Sequence, residues 1–422
     1  MAMTPAPLWV MLLFPLLLAA ETVTRLWLAT RQIGAVRAHR DRVPAMFAGH
    51  IELVEQQKAA DYTVARMRLT RVATVAEAVL KLLLTVGGGI ALLSQAVAAT
   101  GWSEPWRGLA LLAVVFLVAQ IFGLPFALYR VFRVETRFGF NRTTPGLFVA
   151  DFAKQLLLAA LLGGPLVLVT LLLMDRGGTW WWLWAWGVLQ LATVGLAWAA
   201  PRFIAPLFNR FAPLSDAMLA ARVQALLERC GFTARGGVFV MDGSRRSAHG
   251  NAYFTGIGSN KRIVFLDTLL ARVDADEIEA VLAHELGHFR LRHVRNGLLW
   301  SMGVMLVGLA VLAALAREPL FYAALGVAQA SPAAALLLFT FAVPVLSYFA
   351  TPIGAWWSRR QELAADDFAA AHADAQKLSS ALVKLYRDNA STLTPDPLHS
   401  AFYDSHPPAT LRISRLRALA AR

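Results

Sequence analysis

A chain of 422 residues that is 57% hydrophobic and only 16% charged, with mean hydropathy +0.53, is too apolar for a soluble enzyme of this length and reads as a multi-pass membrane protein. Its 40 Lys plus Arg outnumber 27 Asp plus Glu, but the basic residues gather between apolar runs, which points to loops beside anionic lipid and away from nucleic acid. The single Cys230 excludes an internal disulfide and reads as a small buried hydrophobe.

In chain order, residues 7–30 are apolar apart from Glu21 and Arg25, which are spaced i,i+4 to pair; this predicts the first transmembrane helix. A cleaved signal peptide ending near Ala19 and Ala20 is the competing reading, and it lacks a basic segment before the apolar run. Residues 31–70 carry Arg31, Arg37, Arg40, Arg42, Lys58, Arg66 and Arg68 and read as a loop facing the cytoplasm. Further spans are expected at 77–98, 108–130, 153–174 and 179–203, each long enough for a bilayer. Gly87-Gly88-Gly89 and Gly163-Gly164-Pro165 mark close helix contacts or kinks, and the tryptophans of 180–186 an interfacial belt. Alternation places the N-terminus outside and residues 31–70, 131–152 and 204–293 inside.

Residues 204–293 read as an extramembrane α+β region. Ser215 caps a helix that runs to about Cys230, Gly237 to Met241 forms a buried strand, and residues 251–257 and 261–266 form a hairpin about Gly258-Ser259-Asn260. A helix then starts at Asp274, with Glu277 completing a capping box, a Val273–Ile278 staple, and Asp276 and Glu279 at its positive end. His284 and His288 lie four residues apart on it, so both imidazoles leave one face and can bind one metal ion, with Glu285 beside them as general base. The bare His-Glu-x-x-His pattern also arises by chance, and a third ligand decides.

A metzincin would need a glycine and a histidine where Leu291 and Val294 stand, and His293 lies well round the helix, suited to the surface or to supporting a ligand. The best third ligand is Glu362, in a charged helical stretch after a long apolar one, with Asp366 one turn later to orient a metal-binding histidine. Asp276, Glu277, Glu279, Arg290, Arg292 and Arg295 surround the motif, so it lies at or beyond the membrane surface. A sixth span at 297–316 and a seventh at 331–357 follow the motif, the latter running into residues 358–367. A helix from Asp374 to about Asn389, the loop Thr394-Pro395-Asp396-Pro397 and a basic tail helix complete the chain.

Together, His-Glu-Leu-Gly-His-Phe-Arg-Leu-Arg-His and Ser-Arg-Arg-Gln-Glu-Leu-Ala-Ala-Asp resemble the type I CAAX prenyl proteases, a family of membrane zinc peptidases. The match extends through Leu-Pro-Phe-Ala-Leu-Tyr from 124, Glu-Thr-Arg-Phe-Gly-Phe-Asn-Arg from 135, Pro-Leu-Phe-Asn from 206, Asp-Gly-Ser-Arg-Arg-Ser from 242, Asn-Ala-Tyr-Phe from 251, Asn-Lys-Arg-Ile-Val from 260 and Ser-His-Pro-Pro from 405. The resemblance implies a mainly α polytopic fold of about seven helices around a chamber, removal of the last three residues of a prenylated Cys-a-a-X tail, and contributions of His406 and Arg412 to the active site. Here His406 would donate to the oxyanion. Leu411 stands where the family usually has an acidic residue, and Ala248 and Gly250 where serines are common.

The expected function is zinc-assisted peptide hydrolysis: one Zn2+ on His284, His288 and Glu362, Glu285 as base, and Asp366 in support. An extended peptide would add to the edge of the hairpin at Asn251, Ala252 and Tyr253, although the hairpin could equally be structural. The expected divisions are 1–203, 204–293, 294–357 and 358–422. Ala- and Arg-rich composition with short loops suggests a bacterial inner-membrane enzyme with its zinc site on the cytoplasmic side, acting on peptide or protein substrates, prenylated or in membrane-protein quality control. The contrasting expectation is a transporter or scaffold with a structural zinc, which would use four protein ligands and lean on cysteine.

Overall fold

The computed structural model describes residues 7–232, 236–256 and 261–421. Helix α1 (Leu8–Ala38) pairs along its length with α2 (Leu53–Leu84), and α3 (Gly89–Ala98) follows at a 52° bend. The break falls on the glycine triplet, where Gly88 has φ +77° and a Cβ on Gly87 would lie 2.8 Å from the Leu83 carbonyl oxygen, so a side chain there is excluded. The 31–70 segment is not a loop. α1 runs on to Ala38 and α2 starts at Leu53 behind a Glu52/Glu55 capping box, because arginine, alanine and leucine favour helix as much as they favour the membrane surface. As expected, Glu21 pairs with Arg25, at 3.6 Å, and Lys81 lies 3.9 Å from its other oxygen.

Helix α4 (Trp106–Tyr129) continues as a π-helical turn over Arg130–Glu135; α5 (Pro145–Leu158) and α6 (Gly164–Arg176) form one span through a second π-helical turn, Ala159–Gly163, beside Pro165. Helix α7 (Trp181–Ala199) leads through a third such turn to the short α8 (Ala205–Phe208). The tryptophan belt divides. Trp180 and Trp184 are exposed, whereas Trp181 is buried and Trp186 donates its indole N–H to the Met302 carbonyl, since a helix so rich in one residue must turn some copies inward.

The extramembrane region holds β1 (Phe211–Pro213), α9 (Ala217–Arg229), β2 (Val238–Met241), β3 (Ala252–Thr255), β4 (Arg262–Leu266), α10 (Asp267–Leu270) and α11 (Ala275–Arg290). Asp216, not Ser215, caps α9, its carboxylate accepting from the amides of Met218 and Leu219; a charged acceptor one residue nearer the helix wins the cap. The sheet order is β1-β2-β4-β3, with β2 and β4 parallel and β3 antiparallel to β4, so β3 is an edge. The expected Gly258-Ser259-Asn260 turn lies outside the described residues.

Helices α12 (His293–Leu315), α13 (Pro319–Ala324), α14 (Pro332–Ser347), α15 (Thr351–His372), α16 (Ala375–Asp388), α17 (Pro397–Tyr403) and α18 (Ala409–Ala420) complete the fold. The short outer loop after the sixth span thus contains a helical turn and a half, α13. Among the described residues six helices are long and apolar enough to cross a membrane, and the bent α2–α3 pair makes seven. Only 6–17% of five of their apolar windows is buried within the protein, so the spans stand as a wall of neighbours and not as a solid bundle. One hydrophobic core joins the sheet to α9, α11, α16 and α18; a second lies among the spans.

Candidate metal centre

The site begins with the N-terminus of α11. Asp274 accepts from the Glu277 amide while Glu277 accepts from the Asp274 amide, which closes the capping box; buried Glu277 also takes Lys384 at 2.7 Å and Ser380 at 2.7 Å from α16. Val273 and Ile278 are both in the core. This end of the helix is therefore pinned, and ten residues on, His284 and His288 emerge over α15.

Close approach of α11 and α15 depends on Gly287. A Cβ there would lie 3.1 Å from Ala365 Cα and 3.2 Å from Phe368 Cβ, so the pair Gly287 and Ala365 brings the two backbones together. Glu362 then reaches across to both histidines. His284 Nε2 and His288 Nε2 are 3.3 Å apart, His288 Nε2 is 3.3 Å from Glu362 Oε1, and His284 Nε2 is 3.5 Å from Glu362 Oε2. Tetrahedral coordination with bonds of about 2.0–2.1 Å separates neighbouring ligand atoms by roughly 3.3–3.4 Å, and each histidine nitrogen stands at about that spacing from the other and from one of the two Glu362 oxygens. Glu362 Oε2 is buried without a well-aligned hydrogen bond. Two facing imidazole nitrogens and an under-satisfied carboxylate fit a cation.

A supporting layer surrounds these three residues. Asp366 Oδ1 is 2.9 Å from His284 Nδ1, close but poorly aligned for a hydrogen bond, and Asp366 also accepts two bonds from buried Arg412 at 2.6 and 2.8 Å. His293 Nδ1 stands 3.1 Å from His288 Nδ1, placing it behind that ligand. Exposed His406 brings Nδ1 to 2.7 Å from Glu362 Oε2, and Arg412 Nη1 is 3.6 Å from the same oxygen. Burial pushes the Glu285 carboxyl above the usual range, aided by the charge on Glu362 and opposed by the histidines. A carboxyl raised in this way holds a proton more readily than a free glutamate, as a group that must take and return one needs to.

Burial also disfavours a proton on His284, but contacts with Asp366 and Glu362 outweigh it and push the pKa up to about 9. A metal must displace that proton. Apparent metal affinity is therefore expected to rise about tenfold per pH unit up to about pH 9 and to fall as pH drops, with one proton released per metal bound. Chelator competition between pH 6 and 9, in two buffers of different ionisation enthalpy, measures both; a flat profile shows that no raised proton on His284 competes with the metal.

The expected substrate strand is the sheet edge. Ala252 to Thr255 pair with Phe265 to Arg262 on one side only, and Asn389 clamps the strand's approach by accepting from the Gly250 amide and donating to its carbonyl. Residues 135–142 join the membrane part to this edge. Glu135 accepts from Tyr62, Phe140 stacks on His249 with ring centres 4.4 Å apart, and Asn141 forms an isolated bridge with Ser247. Their signal in the sequence is a carboxylate and two aromatics at the end of an apolar run.

Two family models match the chain: the CAAX prenyl protease N-terminal domain of five membrane helices over residues 32–210, and peptidase family M48 over residues 213–420. The CAAX prenyl protease 1 homolog of Oryza sativa subsp. japonica is 35% identical over 315 residues, 74% of either chain. The CAAX prenyl protease 1 of Saccharomyces cerevisiae is 33% identical over 329 residues, 74% of this chain and 72% of that one. The crystal structure of S. mikatae Ste24p aligns with TM-score 0.90 at 27% identity, covering 98% of this chain and 100% of that one.

Proposed function

This chain belongs to peptidase family M48 and is a multi-pass membrane metalloprotease, and we propose that its metal is zinc, held by His284, His288 and Glu362, and that it cuts peptides aligned on β3. The observation that carries this reading is that His284 Nε2 and His288 Nε2 lie 3.3 Å apart and each 3.3–3.5 Å from a Glu362 carboxylate oxygen. When bound, zinc supplies a Lewis acid that lowers the pKa of a water and polarises a carbonyl.

Around it the chain's own groups do the rest. Glu285 takes the proton of the attacking water on its carboxylate and gives it to the leaving amine. Asp366 holds the ring of His284, and Arg412 holds Asp366. His406 turns from Glu362 to donate to the developing oxyanion. Asn251, Ala252 and Tyr253 lie at the sheet edge that an extended peptide would join on its way to the metal, displacing the Asn251 side-chain oxygen that now accepts from the Ala252 amide.

The relatives' names give CAAX prenyl processing as the best substrate class, so the peptide carries a lipid on the residue before the cut. The site then faces the cytoplasm of a bacterial inner membrane, beside the basic segments, and membrane-protein quality control is a second use of the same chemistry. The test is incubation of the purified protein with farnesylated and unmodified Cys-a-a-X peptides, with and without chelator. Loss of the C-terminal tripeptide from the lipidated peptide, abolished by chelator and restored by zinc, is expected. Cleavage that ignores the chelator overturns the zinc reading, and equal cleavage of both peptides overturns the prenyl one.

A structural zinc in a transporter or scaffold is disfavoured: the His/His/Glu group contains no fourth ligand among the described residues, and no cysteine approaches it.

A further inference from the structure

Away from the metal, a cavity of about 790 Å3 opens between α2 and the π-helical end of α4. Its floor and sides are apolar, with Val72, Phe126 and Tyr129 among the lining, and Val72 and Tyr129 are 61% and 54% exposed. Three arginines also line it: Arg68 from α2, and Arg133 and Arg137 from the segment after α4. None lies within ion-pair distance of a carboxylate among the described residues, although Arg137 is near enough to Asp61 for its charge to help Arg40 hold that carboxyl low. The nearby carboxylates are engaged elsewhere, Glu135 with Tyr62 at 2.9 Å and Asp61 with Arg40 at 2.9 Å. The cavity lies where an apolar span, Trp106–Glu135, ends, so one half faces hydrocarbon depth and the other the headgroup layer.

We propose that this cavity binds an anionic glycerophospholipid of the surrounding bilayer, its phosphate held by Arg68, Arg133 and Arg137 and its acyl chains lying on Val72, Phe126 and Tyr129. Charge decides the occupant. Three guanidiniums with no direct carboxylate partner attract a phosphate diester and repel a basic peptide, while an exposed apolar wall beside them suits acyl chain and not a soluble anion. A basic belt alone would need no apolar wall beside it.

The experiment is native mass spectrometry of the full chain in mild detergent, with phosphatidylglycerol or phosphatidylcholine added. Wild type is expected to hold one phosphatidylglycerol at least about tenfold more tightly than phosphatidylcholine, and Arg68→Gln, Arg133→Gln and Arg137→Gln to weaken it about fivefold each. Val72→Trp fills the apolar half and is expected to expel the lipid with all arginines present, so it carries the test where an arginine variant fails to fold. Millimolar inorganic phosphate should not compete. Equal retention of the two lipids, unchanged retention in the arginine variants or in Val72→Trp, or displacement by inorganic phosphate overturns the proposal. It rests on the membrane reading and not on the metal, so lipid retention and metal content fail separately.

Discussion

Glu285→Gln is expected to abolish peptide cleavage, lowering kcat on the order of 10³-fold, while the purified protein keeps one metal per chain. The argument has two parts. Glu285 sits between His284 and His288 in sequence, but on a helix it leaves the face the two histidines share, and none of the distances between the ligand atoms involves it. Its neighbours nevertheless act on it electrically, and burial lifts its carboxyl above the usual range, which suits a group that must gain and then lose a proton in each turnover. Glutamine keeps the shape and removes the basic oxygen. Elemental analysis and steady-state kinetics on the same preparation decide the matter: turnover within tenfold of wild type, or metal lost along with activity, removes Glu285 from the role of base.

What could be read from the chain before its fold follows a physical divide between local and distant information. His284, His288 and the Asp274–Glu277 cap are legible because helical period and capping are decided within a few residues. Glu362 and Asp366 are legible as a pair because a carboxylate one turn from another, straight after an apolar span, needs a reason. The approach of Gly287 to Ala365 is not, since a glycine and an alanine look unremarkable until two helices 78 residues apart are laid together. The same holds for Asn389 on Gly250, a contact across 139 residues. Helix α2 was hidden differently: its arginines satisfy the rule for a cytoplasmic loop and the propensities of a helix at once, and only its packing along α1 separates the two. Gly87 to Gly89 and Gly163 to Pro165 mark where spans bend, but whether as a break or as a π-helical turn depends on the neighbours.

Glu362→Gln makes the sharpest contrast with Glu285→Gln, because the two replacements change the chain's charge equally and are expected to have opposite effects on the metal. At 362 the carboxylate lies within 3.5 Å of both ligand nitrogens, 2.7 Å from His406 and 3.6 Å from Arg412. Removing its charge takes away one ligand and leaves His284, His288 and His406 facing an uncharged amide while Arg412 keeps Asp366, so metal, activity and stability should fall together. Breaking a buried ionic group by removing one partner costs about 3–5 kcal/mol. Asp366→Asn keeps all three ligands, and is expected to weaken metal binding about 10- to 100-fold without abolishing it, as for a group that only orients a histidine. Metal content after dialysis, and melting temperature with and without added zinc, separate the three variants. Stoichiometric metal in Glu362→Gln would show that the third ligand comes from elsewhere, and with it the closeness of α11 to α15 would lose its chemical reason.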